Sequence, residues 1–250
     1  MVNDHAEVAA IVQARMRSTR LPGKVMALIS NKPMLQHIVE RLQASCEVGT
    51  IIIATTTLEE DDVLDRFARQ TGFPCYRGEE QDVLARYYGA AVKFNVEVIV
   101  RICSDDPLID PRIIDRVVQR HLGSSADYTS TGVSRMFPLG LDVEVFDYQA
   151  LARAYREARQ EYEREHVTPY IYMHPEIFEL QSVEAAGKLR RPDLRLTVDT
   201  EEDLKLIREI FSYLHRDGEV FDSEHVIDLL DENPNLVAIN AHVKQKRLGE

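Results

Sequence analysis

Cysteine is scarce in this chain: its 250 residues contain three, at Cys46, Cys75 and Cys103. They are far apart, odd in number and lack C-x-x-C spacing, which argues against a disulfide framework and for small hydrophobes in a reducing compartment. Long apolar runs are missing as well, and none approaches the roughly 20 residues that span a bilayer. Positive charge is in short supply, with 30 Lys plus Arg against 42 Asp plus Glu and a net charge of −12. That balance works against nucleic acid and anionic membranes as partners, since both demand positive surface. It leaves room for a small anionic ligand, because the local field governs such binding. The opening MVNDHAEVAAIV is acidic where a signal peptide is basic, so a cytoplasmic protein is expected. The eight histidines form no H-E-x-x-H or clustered pattern, so no zinc site is expected.

Hydrophobic residues make up 44% and charged residues 29%, the balance of a globular protein. Short apolar runs alternate with helical patterns through the first half. Val8 to Ala14, Thr50 to Ala54, Pro74 to Arg77 and Val96 to Ile102 read as strands. Between them lie helical segments from Pro33, from a Thr57 cap to Gly72, and from Gln81 to Phe94. Asp110-Pro111 starts another, with the capping residue followed by proline at the first helical position. This order predicts an α/β fold: a mixed, mostly parallel central sheet covered by helices on both faces. After Gly123 the composition shifts. Leu141 to Phe146, Ile177 to Val183 and Leu194 to Val198 read as strands, and Tyr148 to Glu163 reads as one charged helix. Helices over Glu201 to Leu214 and Ser223 to Leu230 follow, with a Thr200–Asp203 capping box, and Lys244 to Glu250 has little to bury. No linker or internal repeat divides the chain, so one domain over 1–250 is expected, carrying a small β-rich arm at about 124–190.

Two features carry chemistry. The first strand runs directly into Ala14-Arg15-Met16-Arg17-Ser18-Thr19-Arg20-Leu21-Pro22-Gly23-Lys24. A basic, hydroxyl-bearing loop at the carboxyl edge of a parallel sheet suits a phosphate ligand, because open α/β sheets bind ligands there. It is neither a Walker A loop nor a G-x-G-x-x-G fingerprint, and a solvated basic loop is the competing reading. The second feature is carboxylates at strand ends. Asp105 follows the strand at Val96 to Ile102, and Asp199 follows that at Leu194 to Val198. If the two strands are parallel neighbours, both aspartates reach one edge and offer hard oxygen ligands to Mg²⁺ beside phosphates held by Arg15 and Lys24. Asp142 and Glu144 share a strand face and, with Arg135 and His166, are candidates for a second, polar ligand. Tyr87 and Tyr88 lie in a helical pattern and read as packing residues rather than base-stacking ones.

The Ala14–Lys24 segment resembles the nucleotide-binding signature of the cytidylyltransferases that activate acidic sugars, the makers of CMP-octulosonate and CMP-sialic acid. Over about residues 8 to 215 the chain is most similar to the spore coat polysaccharide biosynthesis branch. Three further motifs carry that likeness: Gly78 to Tyr87, Gly140 to Phe146, and Glu165 to Tyr170. The resemblance implies a nucleotide-diphospho-sugar transferase-like fold and transfer of a cytidylyl group from CTP to a small acidic sugar, with release of pyrophosphate. It implies that the loop wraps the triphosphate, with Ala14, Arg15, Ser18, Arg20, Gly23, Lys24, Ser104 and Asp105 at the nucleotide. Asp105 and Asp199 fall on the family's Mg²⁺-binding positions, and Arg15, Lys24, Asp105 and Asp199 on its catalytic ones. The arm at about 124–190 becomes the acceptor region and, because relatives are often dimers, the expected seam of a homodimer. Before Asp105 the chain has Cys103-Ser104 where the octulosonate enzymes have Gln-Gly. The rival readings are a nucleotidyltransferase using another NTP or a sugar 1-phosphate, and a noncatalytic nucleotide-binding protein.

Overall fold

The computed structural model describes residues 7–246. Most of the acidic opening segment and the last four residues of the tail lie outside them. β1 (Val8–Gln13) leads through the basic loop to a 3-10 turn at Lys24–Met26 and a small hairpin of β2 (Leu28–Ile29) and β3 (Lys32–Pro33). The alternating half continues with α1 (Met34–Gln43), β4 (Thr50–Thr56), α2 (Asp62–Thr71), β5 (Cys75–Gly78), α3 (Val83–Phe94), β6 (Val98–Cys103) and α4 (Pro111–Leu122). The second half holds β7 (Tyr128–Ser130), β8 (Glu144–Asp147), α5 (Tyr148–Glu157), α6 (Glu161–His166), α7 (Pro169–Tyr172) and β9 (Leu180–Ser182). Then come α8 (Glu201–Leu214), α9 (Ser223–Glu232) and α10 (Pro234–Val237).

Seven strands form one sheet in the order β5-β4-β1-β6-β8-β7-β9. β5, β4, β1 and β6 are parallel, β8 runs antiparallel to both β6 and β7, and β9 is parallel to β7. The mixed, mostly parallel sheet read from the sequence is therefore the observed one. Period-two alternation sorts the central strands between two layers. Val8, Ala10 and Val12 of β1 and Val98, Val100 and Ile102 of β6 pack with α1, α2, α4, α8 and α9. Ala9 and Ile11, with Ile99, pack with α3, α5 and α7 on the other face. Tyr87 is buried in that layer and donates its hydroxyl to the Ile11 carbonyl at 3.0 Å, so it is a packing residue, while Tyr88 stacks on Tyr155.

Several local readings shift. The Leu194–Val198 segment is not a strand of the sheet. It makes an isolated bridge between Leu139 and Arg195, and the Val198 N–H donates to the carbonyl of Asp105, beyond the end of β6. Its alternating Leu194, Leu196 and Val198 are buried against the core, which explains its strand-like pattern. Gly140 permits this docking: its φ is 103°, and a Cβ there would meet Thr197 N at 2.5 Å. The long charged helix is two helices, α5 and α6, because Ala158 turns extended and Gln160 with Glu163 opens a new capping box. The arm strands are shorter or displaced relative to the reading: Glu144–Asp147 for the first and Leu180–Ser182 for the second. Thr57 does not cap α2; a 3-10 turn at Glu59–Asp61 precedes it because Asp61 is drawn inward. The caps at Asp110 and at Thr200–Asp203 form as the sequence indicates.

Candidate active site

Parallel β1, β4 and β6 send their following loops to one edge of the sheet. The loop after β1 is closed on itself. Gly23 adopts φ 74° and its N–H donates to the Met16 carbonyl at 2.8 Å, while Ser18 Oγ accepts from Leu21 N at 3.4 Å. Leu21 is buried and anchors the turn. From the other side, buried Asp61 accepts the Met16 N–H at 2.6 Å and the Thr56 hydroxyl. At the start of the loop, the Ala14 N–H is bonded to the Ala54 carbonyl. The loop is thus pinned at both ends, and Lys24 leaves it pointing inward.

Lys24 Nζ lies 3.0 Å from Asp105 Oδ2, 2.9 Å from Asp199 Oδ1 and 2.7 Å from the Val198 carbonyl. Arg20 reaches the same Asp199 oxygen at 2.8 Å. Burial works to lower the Lys24 pKa, but the charges of Asp105 and Asp199 outweigh it and hold it above the ordinary lysine value. Burial likewise works to raise Asp199, and Lys24, Arg20 and Arg195 hold it below the ordinary aspartate value. The two aspartates thus meet at one cation although their segments are not neighbouring strands. The Val198–Asp105 backbone bond supplies the contact that the sequence reading sought from the sheet.

The oxygens of Asp105 and Asp199 that share Lys24 are hard donors converging on positive charge, and they suit Mg²⁺. Cys103, Asp105 and Asp106 also bring ligand atoms within 4.8 Å of one another. The thiol is a soft donor, and burial pushes its pKa well up, so that trio is a poorer match to a hard ion. Asp106 is buried. Burial, then Asp105 and Asp142, push its pKa well above the carboxylate range.

The remaining basic residues divide. Arg15 lies half-exposed with Nη1 3.9 Å from Glu80, and Arg17 pairs with Glu60 and Glu80. Ser104 occupies the turn between β6 and Asp105. The four residues read as acceptor contacts share a charged neighbourhood without bonding to one another: the charges of Arg135 and Glu144 act on Asp142, and that of Glu144 acts on His166. Asp142 accepts from Gly140 N at 3.2 Å and is pushed up by burial. Arg135 is exposed, with φ 43°. Glu144 is held by three donors: Arg101, Tyr128 Oη at 2.5 Å and Thr168 Oγ1 at 2.7 Å. His166 ends α6; burial lowers its pKa, Glu165 and Glu144 oppose this, and Arg101 adds to it.

Residues 9–243 match the protein family described as cytidylyltransferase. The chain belongs to that family. It is similar to the spore coat polysaccharide biosynthesis protein SpsF of Bacillus subtilis, at 35% identity over 92% of this chain and 96% of that protein. It is 31% identical to a 3-deoxy-manno-octulosonate cytidylyltransferase of Pelobacter propionicus over 52% of this chain and 50% of that one. Among solved structures, a cytidylyltransferase from Leptospira borgpetersenii superposes with a TM-score of 0.87 at 31% identity, covering 97% of this chain and all of that one.

This cytidylyltransferase has site features that the sequence reading passed over. Asp61 is one of them, and its side chain braces the loop. Arg195 is overlooked although Arg195, Asp199 and Asp203 recur at four-residue spacing. Its guanidinium holds Asp199 Oδ2 at 2.9 Å and Asp203 Oδ1 at 2.8 Å, and Asn240 closes the network on Asp203. Asp199 Oδ1 is thereby left to face Lys24. Arg101 is overlooked too. A charge within the most apolar strand of the chain is the signal that could have found it.

Proposed function

We propose that this cytidylyltransferase transfers the cytidylyl group of CTP to a hydroxyl of an acidic sugar in surface or coat polysaccharide biosynthesis. The convergence of Lys24, Asp105 and Asp199 at the carboxyl edge of β1 and β6 carries the reading. A sugar oxygen forms a bond to the α-phosphorus, the bond from that phosphorus to the bridging oxygen breaks, pyrophosphate leaves, and the hydroxyl proton passes to solvent. Lys24, Arg15 and Arg20 bind the phosphates, with Lys24 leaving the aspartates to do so. Asp105 and Asp199 hold Mg²⁺, and the ion, when bound, supplies charge neutralisation at the phosphates. Ala14, Ser18, Gly23 and Ser104 shape the nucleotide side, and Asp61 keeps the loop in place. No side chain is needed as a covalent nucleophile, because positioning and charge supply the rate.

The names of the relatives support the acceptor class: one enzyme acts on octulosonate and another serves coat polysaccharide synthesis. The chain acts as one nucleotidyltransferase domain in the cytoplasm, with residues 124–190 as the acceptor region and the seam of a homodimer. Nucleic acid and membranes are not partners in this reading; among the described residues no helix is long and apolar enough to cross a membrane.

The test is pyrophosphate release from CTP, ATP, GTP, UTP and dTTP with Mg²⁺. The acceptor panel holds 3-deoxy-manno-octulosonate, its amino variant, N-acetylneuraminate, pseudaminate and glucose 1-phosphate. Release confined to CTP with an acidic sugar is the expected result. Release only with glucose 1-phosphate overturns the acceptor class. CTP binding without release from any acceptor favours a noncatalytic role.

A further inference from the structure

Arg101 is a guanidinium built into the middle of the sheet. Its β6 neighbours Val100 and Ile102 are fully buried, and across the sheet it faces Ile11 on β1 and Glu144 on β8. Burying such a group is costly unless its donors are met. One is: Nη1 donates to Glu144. Nη2 has only Gln13 Oε1, at the long distance of 3.4 Å, and Nε is buried without any partner. Nε–H and the adjacent Nη2–H form the side edge of the guanidinium, the fork that grips a carboxylate through two parallel hydrogen bonds. The unused part of Arg101 is therefore its carboxylate-recognition edge.

The surroundings hold that edge in place. Glu144 fixes the guanidinium plane and is itself fixed by Tyr128 and Thr168. Thr168 is set by a strained turn. Val167, a β-branched residue, takes φ 73° and ψ −56°, and the Thr168 N–H donates back to the His166 carbonyl at 2.9 Å. Arg101 keeps 13% of its side-chain surface open while Nε itself is covered, so a ligand approaches the guanidinium from that opening and a small shift of its cover completes the grip. Two residues along the same face of β6 stands Cys103, whose sulfur lies within 4.8 Å of carboxylate oxygens of Asp105 and Asp106. Two strand residues span roughly 7 Å, about the width of one sugar ring.

We infer that Arg101, oriented by Glu144, binds the carboxylate of the acceptor, so that the sugar ring extends from the β6–β8 pair toward Asp105. This deepens the proposed function and rests on its acidic-sugar reading. It adds Arg101 to the candidates for the acceptor and makes Glu144 a residue that positions Arg101.

The experiment takes the acidic sugar that the wild type turns over in the panel above, together with its carboxamide. Arg101→Met is expected to raise KM for the acid by roughly ten- to a hundredfold, as for loss of a charge-assisted pair, with KM for CTP held within about twofold. Arg101→Lys, a cation without the fork, should fall between. Arg101→Met/Glu144→Gln removes both charges and guards against misfolding from an unpaired Glu144, and it should show the same loss. The carboxamide should have nearly the same KM in the wild type and in Arg101→Met. An unchanged KM for the acid, a parallel rise for CTP, or an equal rise for the carboxamide overturns the inference while the functional reading stands. If the wild type turns over no acidic sugar, both fall together.

Discussion

The charged clusters around Lys24 and around Arg101 are built in opposite ways. Around Lys24, every group comes from a loop or a segment end, and the chain separations are long: 81 residues from Lys24 to Asp105 and 175 to Asp199. Around Arg101, the ion pair lies within strand register, where Arg101 stands opposite Glu144 on adjacent strands. The first cluster can exchange partners, because Lys24 occupies carboxylates that a divalent cation or a rearranged loop could release. The second has its plane locked and leaves one edge free. Loop-built charge suits a reaction in which phosphates arrive and depart. Register-built charge suits recognition of a fixed shape.

The largest expected effect breaks the first cluster from behind. Arg195→Met leaves buried Asp203 without an ion-pair partner and strips the cation from Asp199 Oδ2, while Lys24 and Arg20 keep Asp199 Oδ1, and this should destabilise the protein by about 3–5 kcal/mol in urea unfolding. Arg101→Met/Glu144→Gln removes both partners of the other ion pair at once. It should cost clearly less, because no charge is stranded. Equal losses for the two variants would contradict the contrast between a relayed network and a self-contained pair.

Next in size are the aspartates themselves. Asp105→Asn and Asp199→Asn should each lower kcat by about 10²–10³-fold, as expected for loss of preorganised transition-state electrostatics. Stability should fall much less than in Arg195→Met. The check is kcat at saturating CTP over a Mg²⁺ series, beside a thermal melt. Full turnover of Asp105→Asn at limiting Mg²⁺ would remove this aspartate from the metal site.

Legibility in the sequence follows the same division. The alternating half was readable because its strands are buried on both faces and its helices carry their own start signals, such as Asp110-Pro111. The order of the sheet beyond β6 was not, because β7, β8 and β9 are only three or four residues long. A strand that short leaves little period to detect. Leu194 to Val198 misled for a physical reason: alternating apolar residues mark one side turned to the core, whether or not the backbone joins a ladder, and here the polar Arg195 and Thr197 between them are buried too. At the site, Lys24, Asp105 and Asp199 could be named because they stand at element ends, where a change of pattern draws the eye. Asp61 and Arg101 act through partners 45 and 43 residues away, Met16 and Glu144, that only the fold brings close, whereas Arg195 stands four and eight residues from Asp199 and Asp203 and its spacing was there to be read.

A smaller loss should come from the brace on the loop. Asp61→Ala strands the Met16 N–H and the Thr56 hydroxyl, both held by one carboxylate. About 1–3 kcal/mol of stability should go with it, and KM for CTP should rise because the loop loses its inner anchor. KM for the acidic acceptor should stay near the wild-type value, since the Arg101 cluster lies on the sheet and not on the loop. Initial-rate kinetics with each substrate varied in turn separate the two. A matching rise in acceptor KM would show that the clusters are not independent.

The smallest effect concerns the support beneath the Lys24 cluster. His37 is buried on α1, donates Nε2–H to the Ile29 carbonyl of β2 at 2.8 Å, and packs on Phe211 of α8 at 4.5 Å between ring centroids. It therefore ties the hairpin that follows Lys24 to the helix that follows Asp199. Burial lowers its pKa below the ordinary histidine value and outweighs the Ile29 bond and Glu40, which work to raise it. The folded state then binds fewer protons at His37 than the unfolded chain does. Its contribution to stability is intact above the unfolded pKa of about 6.5 and declines as pH falls through that value toward the lower folded one. Unfolding free energy should therefore fall between about pH 7 and pH 5 in the wild type, and this slope should flatten in His37→Gln, whose amide can still donate to Ile29 but does not titrate there. If the slope persists unchanged in His37→Gln, the acid sensitivity lies elsewhere and α1 is not the pH-dependent prop of the loop-built cluster.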